Sequence, residues 1–213
     1  MQGLLNYSHM RKIILASQSP RRKELLTMMG LTFEAIPSDF YEELDDTRTP
    51  EEVAMELGLG KAMAIARQYP DALVIGSDTI VTINGRQLAK AETVDEARTV
   101  LHDVTLHPNR VTSSLVVVCL ADNFQSVQAE NSWVHFKPYD EQLVNTYLAT
   151  GDYKDKAGSY GIQSGAAPLV DHIQGNADTI VGLPTHLLAP ILQQMGYRVK
   201  PVMYQLSSDI KID

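Results

Sequence analysis

The chain reads as an α/β fold with a mixed central β-sheet flanked by helices. Three observations predict it. Short apolar, β-branched runs alternate with segments of helical periodicity along most of the 213 residues. Some strand-like runs follow one another directly through turn residues, and parallel strands cannot be joined that way. Several helices carry legible start and stop residues.

RKIILA (residues 11–16) is a short apolar strand. In the following SQSPRRKELLTMMG, Ser19 is placed to cap a helix, Pro20 suits its first position and Gly30 suits its stop. Leu25, Leu26 and Met29 give this helix its apolar face. FEAIPSDF is a second strand. A capped helix starts near Thr49 with acids in its first turn. ALVIGSDTIVTING is a strand pair or a bent strand, closed by an Asn84-Gly85 turn. VDEARTVLHDV is a third helix. VTSSLVVVCLA and SVQAENSWVHFKP are strands joined near Asp122-Asn123. YDEQLVNTYLATGD is a helix ending at Gly151. The glycine-rich DKAGSYGIQSGAAPLVDHIQGN is a loop followed by a strand, and VGLPTHLLAPILQQMG is a last helix. Residues 1–10 read as an N-terminal extension and 201–213 as a tail without pattern; the whole, 1–213, reads as one unit without repeats or linkers.

Composition excludes several function classes. Hydrophobic residues make up 44% and charged residues 21%, ordinary globular usage. No apolar run approaches the roughly 20 residues that span a bilayer, and MQGLLNYSHMRK does not read as a signal peptide. Membrane partners are therefore not expected. The single cysteine, Cys119, sits in LVVVCLA and reads as a buried, inert thiol; its solitude fits a reducing cytoplasm. A net charge of −8 argues against nonspecific nucleic-acid binding, but not against a nucleotide substrate held by a few local cations.

Four constellations could carry chemistry. Ser17, Ser19, Pro20, Arg21 and Arg22 lie where a strand gives way to a helix, and free N–H groups at a helix N-terminus favour anions. Adjacent arginines add bidentate phosphate recognition. The plainer reading is a capped helix with a basic first turn. Asp78, inside the apolar VIGSDTIV, must be paired, at a strand end, or in a site; a turn aspartate is the alternative. Lys61, Lys90, Glu42 and Glu43 are scattered charges that could equally be surface, and Lys61 late in its helix could simply complement the dipole. Asp155 to Gln163 is glycine-dense enough for close backbone approach to a ligand, and the Gln163 amide could read a base edge; a structural turn fits as well. Phosphate-loop, dinucleotide-fold and zinc-site motifs and the hydrolase elbow are absent, and the histidines are scattered.

Together these segments resemble the Maf-like family. The resemblance is carried by ILASQSPRRKELL (Ile14 to Leu26), GSDTIV (Gly76 to Val81), the stretch from Gly58 to Lys61, Lys90 after Asn84-Gly85, DKAGSYGIQ and VGLP (Val181 to Pro184), and runs from about Lys12 to Gly196. It implies a nucleoside triphosphate pyrophosphatase that cuts between the α and β phosphates and requires a divalent metal, Mg2+ or Mn2+. It also implies a two-lobed fold with a substrate cleft, similar to inosine triphosphate pyrophosphatases, and a homodimer. In the matching motifs Asp78 would be the catalytic carboxylate, linked to metal with Glu42. Ser17, Arg21, Arg22, Lys61 and Lys90 would hold phosphates. Arg21, Thr79 and Gln163 stand where the subfamilies differ, and YGIQ resembles the dTTP/UTP branch. Other readings are the same reaction on a modified purine nucleotide, or a nucleotide-binding regulator with little catalysis, akin to the septum-formation inhibitors for which the family was once named. Tyr41 before Glu42, Ala91 after Lys90, and Asn109 in TLHPNRV depart from the family pattern.

Overall fold

The computed structural model of the chain describes residues 10–41, 44–154, 156–204, 206–207 and 210–213. The first strand, β1 (Ile13–Leu15), leads through Ala16–Ser19 into α1 (Pro20–Met28). Ser19 accepts from the Arg22 backbone N–H, and Gly30 leaves the helix at φ 75°, in the left-handed region open to glycine. After β2 (Phe33–Ala35), α2 (Pro50–Ala66) starts with a complete Thr49/Glu52 capping box. β3 (Leu73–Gly76) and β4 (Thr79–Ile83) are interrupted at Ser77-Asp78. Asn84 (φ 49°) and Gly85 (φ 81°) then turn the chain into β5 (Arg86–Gln87). α3 (Val94–Leu106) is followed by a long hairpin, β6 (Asn109–Cys119) and β7 (Phe124–Phe136), then by α4 (Glu141–Ala149) and β8 (Val170–Gln174).

The last helix, expected to begin at Val181, begins instead at Thr185, and a short helix not expected from the sequence precedes it. α5 (Ala177–Val181) stops at Gly182, whose φ of 119° no α-helix accepts, and α6 (Thr185–Gln194) starts after Pro184. The tail is not patternless either. Ile210 is buried, and β9 (Lys211–Ile212) pairs in parallel with β8.

Among the described residues the strands form a nine-stranded mixed sheet in the order β2-β1-β3-β6-β7-β8-β9, with β4 joining β6 and β5 joining β4. β1 is parallel to both β2 and β3, whereas β3, β4 and β7 run antiparallel to β6. Strand alternation divides the core. Ile13, Leu15, Leu73, Ile75, Leu115 and Val117 face the layer built from α1, α3, α4 and α6. Ile14, Ala16, Val74, Val116 and Val118 face α2 through Ala62, Ile65 and Ala66. Among the described residues, no helix is long and apolar enough to cross a membrane.

Two features place the functional residues. β1 and β3 are parallel neighbours in register (Leu15 beside Ile75), so their carboxyl ends lie side by side, where open α/β sheets place ligands. α2 also approaches β3 unusually closely. A Cβ on Gly76 would stand 2.5 Å from the Gly58 carbonyl oxygen and 2.8 Å from the Ala62 Cβ. One on Gly58 would stand 2.4 Å from the Ser114 hydroxyl. Glycine at both positions is what seats the helix there.

Candidate active site

At the break between β3 and β4, β6 supplies what the ladder loses. The Asp78 N–H donates to the Ser114 hydroxyl (2.9 Å), and the Asp78 carbonyl accepts from the Ser114 N–H (2.9 Å). This frees the Asp78 side chain to turn toward α2. There Lys61 Nζ donates to Asp78 Oδ1 at 2.5 Å, with both side chains 9% exposed. Lys61 is thus not a solvated cation near a helix end. It is buried beside a buried carboxylate, a pairing the low-dielectric interior demands.

The second cluster is built on Arg22. Its guanidinium donates to the Gly182 carbonyl (2.8 Å), the Ser17 hydroxyl (3.2 Å) and the Thr79 hydroxyl (3.0 Å). The planar fork of arginine can serve such divergent acceptors at once. Ser77 donates to the same Gly182 carbonyl (2.8 Å), Thr79 shares a hydrogen bond with Ser113 (2.9 Å), and Ser113 donates to the Thr179 carbonyl (2.7 Å). Arg22 thereby ties together the segment after β1, the break before β4 and the turn after α5. The left-handed Gly182 is required at that meeting point, because a Cβ there would lie 3.0 Å from the Thr79 hydroxyl.

The third group is the loop between α4 and β8. Lys90 is exposed and its backbone bridges Ala157, which brings it to this loop. Gly158 (φ 69°) packs against Val81 of β4. The loop is held from within. Tyr147 donates to the Ser159 carbonyl (3.1 Å), Lys156 pairs with Asp152 (2.7 Å), and Ser164 donates to the same carboxylate. Burial raises the Asp152 carboxyl, but Lys156 and Ser164 more than offset it and hold the group below the usual carboxylate range. Gln163 is half-buried, and its Nε2 donates to the Tyr204 hydroxyl of the tail (2.5 Å). Burial raises the phenols of Tyr147 and Tyr204.

Of the residues singled out in the sequence, Ser17, Arg22 and Thr79 therefore meet directly, and Asp78 beside Thr79 meets Lys61. Arg21 is half-buried in the first turn of α1, Gln163 meets Tyr204, and Lys90 joins the same loop as Gln163. Glu42, Glu43 and Asp155 lie outside the described residues. None of the three departures from the family pattern supplies a side chain to the hydrogen bonds above. Tyr41 is 80% exposed, Ala91 is buried in the core, and Asn109 closes the end of α3 by donating to the Val104 and His107 carbonyls (2.9 and 3.0 Å). Among the described residues, no three His, Cys, Asp or Glu side chains are grouped to hold a metal ion. Sequence reading passed over Ser113 and Ser114, yet paired hydroxyls inside VTSSLVVV are a signal, since buried hydroxyls need partners. A cavity of about 440 Å3 lies beside the tail, lined by Asp178, His186, Lys200 and Tyr204 among others. It is not lined by Lys61, Asp78 or Arg22, and its Asp178 serves as a cap, accepting from the Thr185 N–H at 2.7 Å.

Comparison with known proteins accounts for this convergence. The family model described as "Maf-like protein" matches residues 12–195. A dTTP/UTP pyrophosphatase of Pelotomaculum thermopropionicum is 38% identical over 190 residues, 89% of this chain and 100% of the relative. One from a Geobacillus species is 37% identical over 188 residues, 88% of this chain and 100% of the relative. One from Bacillus cereus is 39% identical over 190 residues, 89% of this chain and 98% of the relative.

Proposed function

The chain belongs to the Maf-like family, and from that premise we propose that it is a nucleoside triphosphate pyrophosphatase acting on dTTP and UTP, with nucleoside monophosphate and pyrophosphate as products. The observation that carries the proposal is the buried Lys61–Asp78 pair at the carboxyl ends of β1 and β3, beside the Arg22-centred cluster.

In this reading the Asp78 carboxylate orients a water molecule and takes its proton as the oxygen bonds to the α-phosphorus. The α–β bridging bond breaks, and its electron pair leaves with pyrophosphate. Lys61 fixes the carboxylate through Oδ1. Such a reaction needs neutralised charge and alignment more than a strong nucleophile. Arg21 and Lys90 bring cationic charge for the phosphates. Arg22, engaged with protein acceptors, holds Ser17, Thr79 and Gly182 in register around them. Gln163 reads the pyrimidine edge.

A divalent ion, Mg2+ or Mn2+, belongs to the same proposal. The donor chemistry fits, since hard cations of this kind are commonly held by one or two carboxylates together with the substrate's own phosphates. Asp78 supplies such a carboxylate, and Glu42, outside the described residues, is the proposed second. When bound, the ion would neutralise triphosphate charge. A homodimer and a cytoplasmic setting complete the reading.

The test is pyrophosphate release across pyrimidine and purine nucleotides, with and without Mg2+ or Mn2+. Metal-dependent release from dTTP and UTP is the expected outcome. Release from a modified purine nucleotide alone would reject the pyrimidine reading. Tight nucleotide binding without release would point to a regulator.

A further inference from the structure

α5 has five residues, too few for a helix to persist without docking. Asn176 stands at its N-cap position, yet the Asn176 side chain makes no capping bond and donates instead to Glu130 Oε1 at 2.9 Å. Thr179, in the middle of the helix, donates to Glu130 Oε2. His186 Nε2, in the first turn of α6, lies 2.9 Å from Glu130 Oε1. An ionised carboxylate only accepts, and its two oxygens have lone pairs for three such partners. One side chain of β7, 21% exposed, thereby holds both α5 and the start of α6.

Strand register puts Glu130 in line with the Arg22 cluster. Thr79 of β4 stands opposite Ser113 of β6, and Ser113 stands opposite Glu130 of β7. Directly opposed residues share a face of the sheet, so the three side chains form one row across three strands. α5 lies on this row, because the Ser113 hydroxyl donates to the Thr179 carbonyl (2.7 Å) and the Thr179 hydroxyl to Glu130. The helix ends at Gly182, whose carbonyl accepts from Arg22 Nε and from the Ser77 hydroxyl, both at 2.8 Å. Where α5 sits therefore decides where Arg22 is held. Asp78 is fixed by a different set, Ser114 and Lys61.

We propose that Glu130 is a positioning residue for triphosphate binding: it docks α5 so that the Gly182 carbonyl holds the Arg22 guanidinium in place. This rests on the reading of the Arg22 cluster as the surround of the phosphates. Glu130 acts through geometry and not through its charge. A glutamine at this position has the same reach, with an oxygen for Asn176 and His186 and an NH2 for the Thr179 hydroxyl, which accepts as well as donates. Alanine offers none of these.

The experiment compares wild type, Glu130→Gln and Glu130→Ala for kcat and KM with dTTP and for backbone hydrogen exchange over residues 176–185. Asp122→Ala, which breaks the remote pair with Arg11, is the control for general loosening. Glu130→Ala should speed exchange in this segment by about tenfold and raise KM by about tenfold, the worth of one hydrogen bond at the upper end of its range, with kcat within about twofold of wild type. Glu130→Gln should stay within about twofold of wild type in all three, and Asp122→Ala should change none of them. Unchanged exchange in Glu130→Ala overturns the inference by showing α5 docked without it. Faster exchange with unchanged KM overturns the link to binding. A fall in kcat at constant KM overturns it by placing Glu130 in the chemistry, and a Glu130→Gln protein as impaired as Glu130→Ala overturns the geometric role. The same KM rise in Asp122→Ala overturns it by showing general loosening. If the wild type binds dTTP without releasing pyrophosphate, the functional reading fails alone, and the dissociation constant for dTTP decides this inference in place of KM. If it binds no nucleotide, both fail.

Discussion

Replacing Gly76 by alanine should unseat α2 from β3 and disturb the Lys61–Asp78 pair, proposed as catalytic, without touching any reacting group. The added Cβ would lie 2.5 Å from the Gly58 carbonyl oxygen, 2.8 Å from the Ala62 Cβ and 3.2 Å from the Ala62 nitrogen. Two of these are backbone atoms of one helix, so no side-chain rotation relieves them, and the helix itself must move. Overpacking of this kind costs about 1–3 kcal/mol. At roughly 2–4 °C per kcal/mol for a chain of this size, Tm should fall by about 2–12 °C. The same helix carries Lys61, whose ammonium must stay within hydrogen-bond reach of Asp78. A displacement on the order of 1 Å at such a site can cost about a hundredfold in rate. Thermal unfolding and pyrophosphate release from dTTP measure the two effects. Gly85→Asn is the control, because its Cβ would meet nothing within 4 Å and asparagine tolerates a positive φ. A Gly76→Ala protein with wild-type Tm and wild-type kcat would refute the close seating of α2 and the dependence of the site on it.

Further outcomes follow from the same geometry. Asp78→Asn keeps an oxygen for Lys61 but no proton acceptor, so kcat should fall by about 10²- to 10⁴-fold while circular dichroism stays that of a folded chain; undiminished turnover removes Asp78 from the chemistry. Arg22→Lys retains the charge but loses the fork that serves Gly182, Ser17 and Thr79, so two lost hydrogen bonds should cost about 2 kcal/mol in urea unfolding. Asp152 is depressed below its ordinary value in the folded chain, so its contribution to stability is present above the unfolded carboxyl value, about 4, and is lost as pH falls through the lower folded value. The Tm gap between wild type and Asp152→Asn should therefore be steady from about pH 8 to 5 and shrink below about pH 4. A gap that widens on acidification contradicts the assignment.

Much of the fold was legible because it rests on local chemistry. Ser19, Pro20 and Gly30 bound α1, Thr49 and Glu52 open α2, and Asn84-Gly85 sets the β4–β5 turn; each signal acts within a few residues. The expected helix from Val181 failed at Gly182, although glycine and Pro184 together mark a stop. The tail failed for another reason. β9 exists only because β8 offers it an edge, and no local pattern announces such a partner. The site divides in the same way. Asp78 stands out because a carboxylate in an apolar run needs an explanation. The role of Lys61 does not, since 17 positions and a glycine-seated helix separate it from its partner. The Tyr204–Gln163 contact spans 41 positions and no local rule predicts it.

The most direct test of the central claim is product identification after incubation of UTP with the metal-loaded protein, alongside the Asp78→Asn variant. The account predicts UMP and pyrophosphate in equal amounts from the wild type, and both formed at least about a hundredfold more slowly by the variant. UDP and inorganic phosphate from the wild type, or UMP formation undiminished in the variant, would contradict it.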